Sequence, residues 1–350
     1  MTRFLDDILR QPGALTSTLE FLGDAGLQRL RTAASALGSA SHIYMTGIGS
    51  SYYAALGAAS HFHQASRPVY VLDAAELLHF ATFPRNSVLV IISRSGQSIE
   101  IVNLLRKAQE RETMVIGLTN AENGFLAQQA QMPIVIPADF DHAISVNTYS
   151  TLVAAACGLA SATLARFDSD LQRALLESID KVSEAIPTWQ EQIAQSSWFA
   201  PESSYYFLAR GASLASCNET RLLWEEGAKH PATSMGTSAF RHGPQEIAVA
   251  GSRFGLWIDP QVLRNEDLAV ARDLRKLGAS VMLIGHELPG DAADLVFQIP
   301  WAPPGWQFLF DIIPAQFAAE HLANLSSVDC DSFRVCSYIV RGEFGLLNEV

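Results

Sequence analysis

The sequence has few of the features that mark disulfide-bonded, metal-binding or nucleic-acid-binding proteins. Its four cysteines form no CxxC pair and have no histidine at zinc-like spacing, so neither a disulfide framework nor a structural metal is expected. Charged residues make up only 17% of the chain, and 36 acidic against 24 basic residues give a formal net charge of −12. Because nucleic acid is itself an anion, the sequence predicts no nucleic-acid partner.

Long apolar runs are also lacking. The N-terminal segment carries Asp6 and Asp7 where a signal peptide needs an apolar stretch, and the most apolar long segment, 151–165, is short and rich in Ala, Ser and Thr. No export signal and no membrane span are therefore expected, and a reducing, cytoplasmic location fits the cysteines best. What the chain does contain is 49% hydrophobic residues over 350 positions, enough for two domains or one large α/β unit.

Short β-branched runs alternate with segments of helical length through the first half. The first run, His42 to Thr46, ends in GIGSS and is followed by the helical pattern YYAALGAASHF. The same order repeats with VYVLD at 69–73, VLVIIS at 88–93, TMVIGLT at 113–119 and PIVIP at 133–137. Apolar strands that alternate with helices indicate a parallel sheet covered on both faces.

The second half repeats this pattern. YYFLARGAS at 205–213 resembles HIYMTGIGS at 42–50, and FGLWI, SVMLIG and VFQIP follow at nearly the same offset of about 162 residues. The sequence therefore predicts an α/β protein of two tandem flavodoxin-like, three-layer αβα units with parallel sheets. The expected boundaries are an N-terminal helical segment at 1–35, units at 36–165 and 199–335, a helical linker at 166–198 and a tail at 336–350.

A dinucleotide-binding motif is present only in part. Gly47 and Gly49 lie between a strand and a helix, and Asp73 ends the next strand, as in the fingerprint that binds a pyrophosphate and a ribose. The third glycine of that motif would fall at Tyr52, whose side chain obstructs close packing of helix on strand. Dinucleotide binding is therefore not favoured.

A polar loop after the third strand carries the stronger signal. Ser93-Arg94-Ser95-Gly96-Gln97-Ser98 precedes the helical pattern IEIVNLLRKAQE, so several hydroxyls lie next to a helix N-terminus. Hydroxyls and free helix amides together bind a monophosphate without a cluster of lysines. Ser50 and Ser51 reach the same edge of the predicted sheet. For any one serine, a helix cap is the simpler interpretation; five serines on adjacent loops favour a ligand site.

At this point the sequence resembles a known family, the sugar isomerase (SIS) domains. It is most similar to the isomerase half of glucosamine-6-phosphate synthase and its stand-alone phosphosugar isomerase and deglycase relatives. The resemblance is carried by GIGSSYYAALG, SRSGQSIEI, NTYSTL at 147–152 and NETRLLWEEGAKHPATSMGTSAFRHGP at 218–244, and it covers almost the whole chain as two SIS units.

The resemblance implies roles for the polar loops of the first unit. The phosphate would be held by serines, namely Ser51, Ser93, Ser95 and Ser98, with Arg94 and Gln97 in the same loop. Arg94 stands where the synthases carry a neutral amide, so it either adds a charge-assisted contact or points into solvent. Ser50 and Ser145 would meet the sugar oxygens. The second unit lacks such a loop, because its equivalent strand runs into IDPQ, and is expected to be a partner domain.

The resemblance also implies two catalytic residues. Glu219 and Glu226 are seven residues apart, about two helical turns, and so share one helix face. Glu226 lies sixteen residues before His242, the family spacing, which selects Glu226 over Glu225. Glu226 would move a proton between C1 and C2, and His242 would open the sugar ring. Without the family, a solvated acid and a loop cap would be the simpler interpretations.

The sequence departs from the synthases in ways that bear on the reaction. Their C-terminal imine-forming lysine aligns with Cys336, a second lysine aligns with Leu223, and Lys229 is the nearest substitute. No glutaminase domain precedes the first unit, so glutamine-dependent amination by this chain alone is not expected.

Three functions remain open from the sequence. The first is an aldose–ketose isomerase, or an aminosugar-phosphate isomerase or deaminase, acting on a hexose 6-phosphate. The second is a fructosamine-6-phosphate deglycase, and the third is a non-catalytic phosphosugar-binding protein. The resemblance further implies a homodimer with shared active sites and a small sugar phosphate as ligand. No metal or organic cofactor is expected.

Overall fold

The computed structural model describes residues 1–343 and 345–346, and these divide into two compact units. The first unit contains Arg10–Leu176 and the described residues from Ser332 onward. The second unit contains Met1–Leu9 and Glu177–Asp331. Of the tail expected at 336–350, Phe344 and 347–350 lie outside the described residues.

The first unit is built on a parallel sheet of five strands in the order β2-β1-β3-β4-β5. The strands are β1 (His42–Gly47), β2 (Tyr70–Asp73), β3 (Ser87–Ile92), β4 (Met114–Thr119) and β5 (Met132–Val135). All six residues of the central strand β3 are buried, as expected for a strand with helices on both faces. The five runs predicted from the sequence are these five strands.

Eight helices begin in or border this unit. They are α1 (Arg3–Gly23), α2 (Leu27–Ser39), α3 (Ser50–Gln64), α4 (Ala74–His79), α5 (Ile99–Glu110), α6 (Phe125–Gln129), α7 (Asn147–Thr163) and α8 (Ser169–Gln195). Helices α4, α5 and α6 cover one face of the sheet, where Leu77, Leu104 and Leu126 pack on Leu89 and Ile91. Helices α3 and α7 pack together, and their runs of alanine permit a close approach.

The second unit has a parallel five-stranded sheet in the order β10-β9-β8-β6-β7. Its strands are β6 (Tyr205–Ala209), β7 (Ala232–Gly236), β8 (Arg253–Ile258), β9 (Ser280–Gly285) and β10 (Leu295–Gln298). Its helices are α9 (Leu214–Glu226), α10 (Thr237–Phe240), α11 (Arg264–Lys276), α12 (Phe308–Asp311) and α13 (Ile313–Leu325). Read from β7, the order matches that of the first sheet, so the predicted repeat of one doubly wound α/β fold is confirmed.

The N-terminal residues complete the second unit. The carboxylate of Asp331 accepts from the backbone N–H groups of Arg3 and Phe4 at 2.8 Å each, at the start of α1. Thr2 Oγ1 donates to Glu320 Oε1 of α13 at 2.8 Å. The two bonds to Asp331 satisfy backbone amides of α1 that have no acceptor within the helix. Among residues 1–343 and 345–346, no helix has both the length and the apolar character needed to cross a bilayer.

Candidate active site

The first sheet changes winding direction between β1 and β3. These strands are neighbours, with Thr46 opposite Ile91, yet the chain leaves β1 for β2 on one side and β3 for β4 on the other. The loops that follow them therefore diverge above the same edge and leave a crevice, where open α/β sheets bind ligands. The polar loops selected from the sequence are the two loops at this crevice.

The loop after β1 brings Ser50 and Ser51 to the crevice. Gly49 has a φ of 54°, in the left-handed region that favours glycine, and it directly precedes Ser50, the first residue of α3. Ser51 N–H donates to the carbonyl of Ile48 at 3.1 Å, which tightens the turn. Both serines are half-buried. They therefore lie at the N-terminus of α3, beside the loop that follows β3.

Asp73 has a structural task in this region. Its carboxylate accepts from Ala75 N–H at 2.9 Å and so caps α4. Tyr52, in the place of the third fingerprint glycine, has its pKa raised above 10.0 by burial and by the charge of Asp73. The cap and the tyrosine agree with the interpretation that the glycine motif is not a dinucleotide site.

The loop after β3 is shaped by two of its own serines. Ser93 Oγ accepts from Gly96 N–H at 3.1 Å, and Ser95 Oγ accepts from Gln97 N–H at 3.2 Å. Both side chains are 6% exposed. A hydroxyl whose oxygen accepts a hydrogen bond still has its own hydrogen to donate. Ser93 and Ser95 can therefore hold the loop and donate to an anion at once.

Gly96 is at a position that no other residue fits well. Its φ is 62°, and a Cβ there would lie 2.8 Å from the Cβ of Leu126. The carbonyl of Gly96 accepts from Leu126 N–H at 3.1 Å, so the loop is fixed against the start of α6. The loop is therefore held in one conformation before any ligand is present.

Ser98 occupies the N-cap position of α5 but does not act as a side-chain cap. Within the described chain, its hydroxyl makes no capping hydrogen bond, although it precedes the first helical residue, Ile99. A helix N-terminus with its positive dipole end favours an anion. The sequence-based alternative, that Ser98 merely caps this helix, is thus not what the geometry shows.

The side chain of Arg94 is engaged by other groups of the protein. Its Nη1 donates to Ser145 Oγ at 2.9 Å and to the carbonyl of Ala143 at 3.5 Å. Its Nη2 donates to the carbonyl of Tyr338 at 3.1 Å, and its guanidinium carbon lies 4.0 Å from the centre of the Tyr338 ring. Arg94 thus brings Ser145 to the loop 93–98, and its charge is used within the protein.

Asp141 fixes the segment that carries Ser145. Its buried carboxylate accepts from the N–H groups of Val146, Asn147 and Thr148 at 3.0, 2.8 and 3.0 Å, and from the side chains of Asn147 and Thr148. Three otherwise unpaired amides at the start of α7 are satisfied by one acid. The stretch 145–148 is therefore anchored where it meets Arg94.

Three residues of this region were missed by the sequence reasoning. They are Asp141, Tyr338 and Arg341, the last of which donates to Gln97 Oε1 at 3.2 Å. An acid a few residues before a helix is a weak local signal for Asp141. No local signal exists for the tail residues, since Tyr338 and Arg94 are 244 positions apart.

Glu226 is the last residue of α9 in the second unit and is half-buried. Glu219 lies two helical turns earlier on the same face of α9 and is 1% exposed. Glu225 is engaged differently, because it pairs with Arg221 one turn before it. Lys229 Nζ donates to the backbone carbonyl of Glu226, so this lysine caps the helix end.

His242 lies exposed on the turn after α10, with its N–H donating to the carbonyl of Ala239 at 3.1 Å. The next residue, Gly243, has a φ of 130°. Ser50, Ser51, Ser93, Arg94, Ser95, Gln97, Ser98 and Ser145 are thus brought together in the first unit, whereas Glu226 and His242 belong to the second.

The equivalent edge of the second sheet carries charge of both signs. After β6, Arg210 pairs with the buried Asp267 of α11 at 2.8 Å and also donates to Ser238. After β8, Asp259 accepts from the N–H groups of Gln261 and Val262. This edge therefore carries a paired arginine and an acid where the first sheet carries hydroxyls, and the partner-domain role stays a prediction.

Among the residues that the structure describes, no group of three His, Cys, Asp or Glu side chains is placed to hold a metal ion. The side chains of Cys157, Cys217 and Cys330 are buried, and that of Cys336 is exposed.

Comparison with known proteins supports the motif-based resemblance. The family model of the SIS domain matches residues 36–163. The chain is 25% identical over 349 residues to glutamine–fructose-6-phosphate aminotransferase [isomerizing] from Pyrobaculum aerophilum, covering 94% of this chain and 56% of that protein. The chain thus spans little more than half the length of this relative.

Two solved structures show the same fold over nearly the whole chain. Glucosamine-6-phosphate deaminase from Thermotoga maritima has a TM-score of 0.79 at 19% identity and covers 97% of this chain and 99% of its own. Tagatose-6-phosphate ketose/aldose isomerase from Escherichia coli has a TM-score of 0.80 at 19% identity and covers 94% of both chains. The SIS-domain model therefore matches residues 36–163, and the resemblance of the chain to proteins of this fold is confirmed.

Proposed function

We propose that the protein is a phosphosugar isomerase that acts on a hexose or aminohexose 6-phosphate. The observation that carries this proposal is the hydroxyl-lined loop 93–98, which lies between β3 and the N-terminus of α5. Ser50 and Ser51 begin α3, directly after the turn that follows the neighbouring strand β1. Donor hydroxyls, a helix N-terminus and a rigid loop together suit a phosphate monoester.

The phosphate would be bound without lysine. Ser93 and Ser95 keep their hydroxyl hydrogens for the ligand, since their oxygens accept from the loop amides. Ser98 and Ser51 supply further hydroxyls, and the dipole of α5 adds a favourable potential. Such a neutral site can bind an anion in a protein whose formal net charge is −12, because the local donors, not the distant charges, dominate at contact distance.

In the proposed reaction, His242 opens the sugar ring by moving a proton between the ring oxygen and the C1 hydroxyl. Glu226 then removes the proton from the carbon next to the carbonyl and returns it to the other carbon through an enediol or enolamine. One carboxylate suffices, because the proton leaves and returns on neighbouring carbons. These two roles rest on the family resemblance.

A second candidate is a fructosamine-6-phosphate deglycase, in which the substrate brings its own nitrogen. Cys336, an exposed residue, stands where the synthases carry the lysine that forms an imine. Lys229, the nearest substitute, follows the end of α9 and is held against the carbonyl of Glu226. Both observations favour a substrate that needs no imine with the protein.

We further propose that the protein is a homodimer in which His242 serves the site of the partner copy. The exposed position of His242 on a turn is compatible with that role. The proposed ligand is a small sugar phosphate in either candidate reaction.

The experiment is incubation in D₂O with a panel of hexose, aminohexose and fructosamine 6-phosphates, followed by NMR. Isomerisation interconverts aldose and ketose and introduces deuterium at C1 or C2, a deaminase releases ammonia, and a deglycase releases an amino acid. Saturable binding with every substrate unchanged would overturn both enzyme assignments in favour of a binding protein.

Glu226→Gln tests the proton transfer. The variant should lower kcat by roughly a thousandfold while leaving binding of the sugar phosphate intact, since an amide cannot accept the proton. Glu225→Gln is the matched control, because Glu225 pairs with Arg221 and should tolerate the change with near-normal kcat. An equal loss in both variants, or none in Glu226→Gln, would contradict the assignment.

A further inference from the structure

The described part of the C-terminal tail lies across the phosphate loop of its own unit. Ile99 N–H, the first amide of α5, donates to the carbonyl of Val340 at 3.0 Å. Arg341 donates to Gln97 at 3.2 Å. Farther along, Glu343 Oε1 lies 3.0 Å from His79 Nε2 at the end of α4. These three contacts tie the segment 340–343 to the loop 93–98, to the start of α5 and to the end of α4.

Arg94 adds a further contact to the tail. Its guanidinium stacks over the ring of Tyr338 and donates to the Tyr338 carbonyl and to Ser145 Oγ. Tyr338 OH in turn donates to the carbonyl of Asp141 at 3.1 Å. One side chain thus bridges three segments that are distant in sequence: the phosphate loop, the start of α7 and the tail.

The base of this bridge is fixed independently of the tail. The carbonyl of Arg94 accepts from Thr119 Oγ1 at 3.0 Å and from Asn120 N–H at 3.3 Å, both at the end of β4. The backbone of Arg94 is therefore held by the sheet, and its side chain projects from a rigid position. The guanidinium thus offers the tail a fixed anchor, in addition to the bonds of Val340, Arg341 and Glu343.

We propose that Arg94 is a positioning residue that acts as a latch, holding the segment 338–341 closed over the phosphate loop. The guanidinium acts on the tail and on Ser145, not on the phosphate itself. With the tail held down, a bound sugar phosphate is shielded from water and leaves slowly. This inference rests on the proposed phosphosugar site but concerns a contact that can be measured without any substrate.

The tail itself provides a reporter of the latch. Cys336 is exposed, whereas Cys157, Cys217 and Cys330 are buried, so a thiol-reactive fluorophore is directed to the tail. We expect Arg94→Gln to lower the anisotropy of this label and to speed hydrogen exchange at the first amides of α5, because the tail is released. Unchanged anisotropy together with unchanged exchange would overturn the latch.

Variants on the tail side test the same contact without touching the loop. Tyr338→Ala removes the ring and should release the tail as Arg94→Gln does. Tyr338→Phe keeps the ring over Arg94 and should stay close to wild type. Arg106→Ala is the control. Arg106 lies on α5, its guanidinium is 5.8 Å from the centre of the Phe125 ring, and it donates to Asn103 Oδ1 at 3.4 Å. A release of the tail in Arg106→Ala equal to that in Arg94→Gln would also overturn the proposal.

Kinetics separate positioning from catalysis. With a hexose 6-phosphate that the wild type converts, Arg94→Gln should raise KM about tenfold and leave kcat within about threefold, because retention of the ligand is lost and the acid–base groups are intact. Arg94→Lys should restore part of the KM, since an ammonium can stack on the ring but cannot bridge all three segments. A fall in kcat with KM unchanged would contradict a positioning role.

The outcomes of the two proposals are distinguishable. If the wild type converts no sugar phosphate while Arg94→Gln still frees the tail, the proposed function fails and the latch stands. If the wild type is an active isomerase and Arg94→Gln leaves the tail docked, the latch fails and the proposed function stands.

Discussion

Ser93 and Ser95 illustrate how single residues serve both structure and binding. Each hydroxyl oxygen accepts from an amide two or three residues on and thereby sets the curvature of the loop. Because the hydroxyl hydrogens remain, the same side chains are suited to donate to an anion. Replacing either with alanine would therefore affect the loop and the ligand together, which is why binding and folding must be measured separately at these positions.

Asp311 is a buried acid whose ionisation is linked to stability. Its side chain, at the end of α12, accepts from Ser213 Oγ at 2.7 Å and is fully buried. Burial, only partly offset by hydrogen bonds, raises its pKa from 3.8 to about 7. In the folded protein the carboxyl therefore keeps its proton over a pH range in which the unfolded chain has lost it.

The free energy of unfolding should accordingly fall as pH rises. Below pH 3.8 the carboxyl is protonated in both states, so the free energy of unfolding does not change with pH through this group. Between pH 3.8 and about pH 7 only the unfolded state ionises, which favours unfolding. The expected loss is on the order of 4 kcal/mol, at 1.36 kcal/mol per pKa unit. Asp311→Asn should flatten this dependence between about pH 4 and about pH 7.

Urea unfolding followed by tryptophan fluorescence is the appropriate measurement, because all six tryptophans, at 189–306, lie in the second unit. Asp170→Asn serves as the control, since Asp170 is an exposed acid paired with Arg173. A pH dependence as steep in Asp311→Asn as in the wild type would show that Asp311 ionises normally.

At the scale of secondary structure, helix α7 depends on an acid outside it. It is buried from Asn147 to Ser161, so it contributes much of the core, and its first amides are satisfied by Asp141. A buried helix end without such an acceptor is costly. The position of Ser145 relative to Arg94 depends on the same acid.

Asp141→Ala should therefore destabilise the first unit by about 3 kcal/mol, since three buried amides lose their acceptor. Hydrogen exchange in the first turns of α7 should rise, and urea unfolding followed by far-UV circular dichroism should show the loss. Asp139→Asn is matched to it, because Asp139 is 92% exposed and its pairing with Arg10 is loose, at 3.7 Å. Equal effects in the two variants would contradict the capping role.

The strands show which elements a sequence reveals. Nine of the ten strands in the described residues were predicted, because each of the nine reads as a short run of apolar residues. Strand β7, ATSMG, was missed. This edge strand has Thr233, Ser234 and Gly236 among its five residues and so no apolar run, whereas the other edge strands, β2, β5 and β10, have one.

The candidate site was predictable where it is local. The polar loops at the ends of β1 and β3 follow directly from strand, turn and helix patterns, and the parallel sheet places them together. The partners of Arg94 were not predictable, since no periodicity connects residue 94 with residue 338. Long-range side-chain contacts of this kind depend on the whole fold.

At the scale of the whole molecule, the chain contains the same fold twice, and the two copies carry different residues in the loops after their strands. Both sheets have the same strand order, yet the first presents hydroxyls at its crevice and the second presents the Arg210–Asp267 pair and Asp259. The topology is thus retained while the chemistry at the loops differs, as expected when function lies in sites carried by a common fold. The division of labour that we propose follows this difference.

Mixing two inactive variants tests the shared dimer site. If His242 acts in the partner's site, a mixed dimer of Glu226→Gln and His242→Ala has one intact site, and random mixing should restore about a quarter of wild-type activity. Differently tagged copies that co-purify show that subunits exchanged. Subunit exchange without any recovery of activity would indicate that both residues act within one copy. The Glu226→Gln, His242→Ala double variant gives the background activity.

The bonds of residues 2–4 to Glu320 and Asp331 have a consequence for synthesis. Translation proceeds from the N-terminus, so the first turn of α1 must wait for more than three hundred residues before its acceptors exist. The segment Arg10–Leu176 can acquire its sheet earlier, as domains generally fold in order of emergence. The second unit would thus be completed last, when residues 2–4, made before the rest of that unit, meet Glu320 and Asp331.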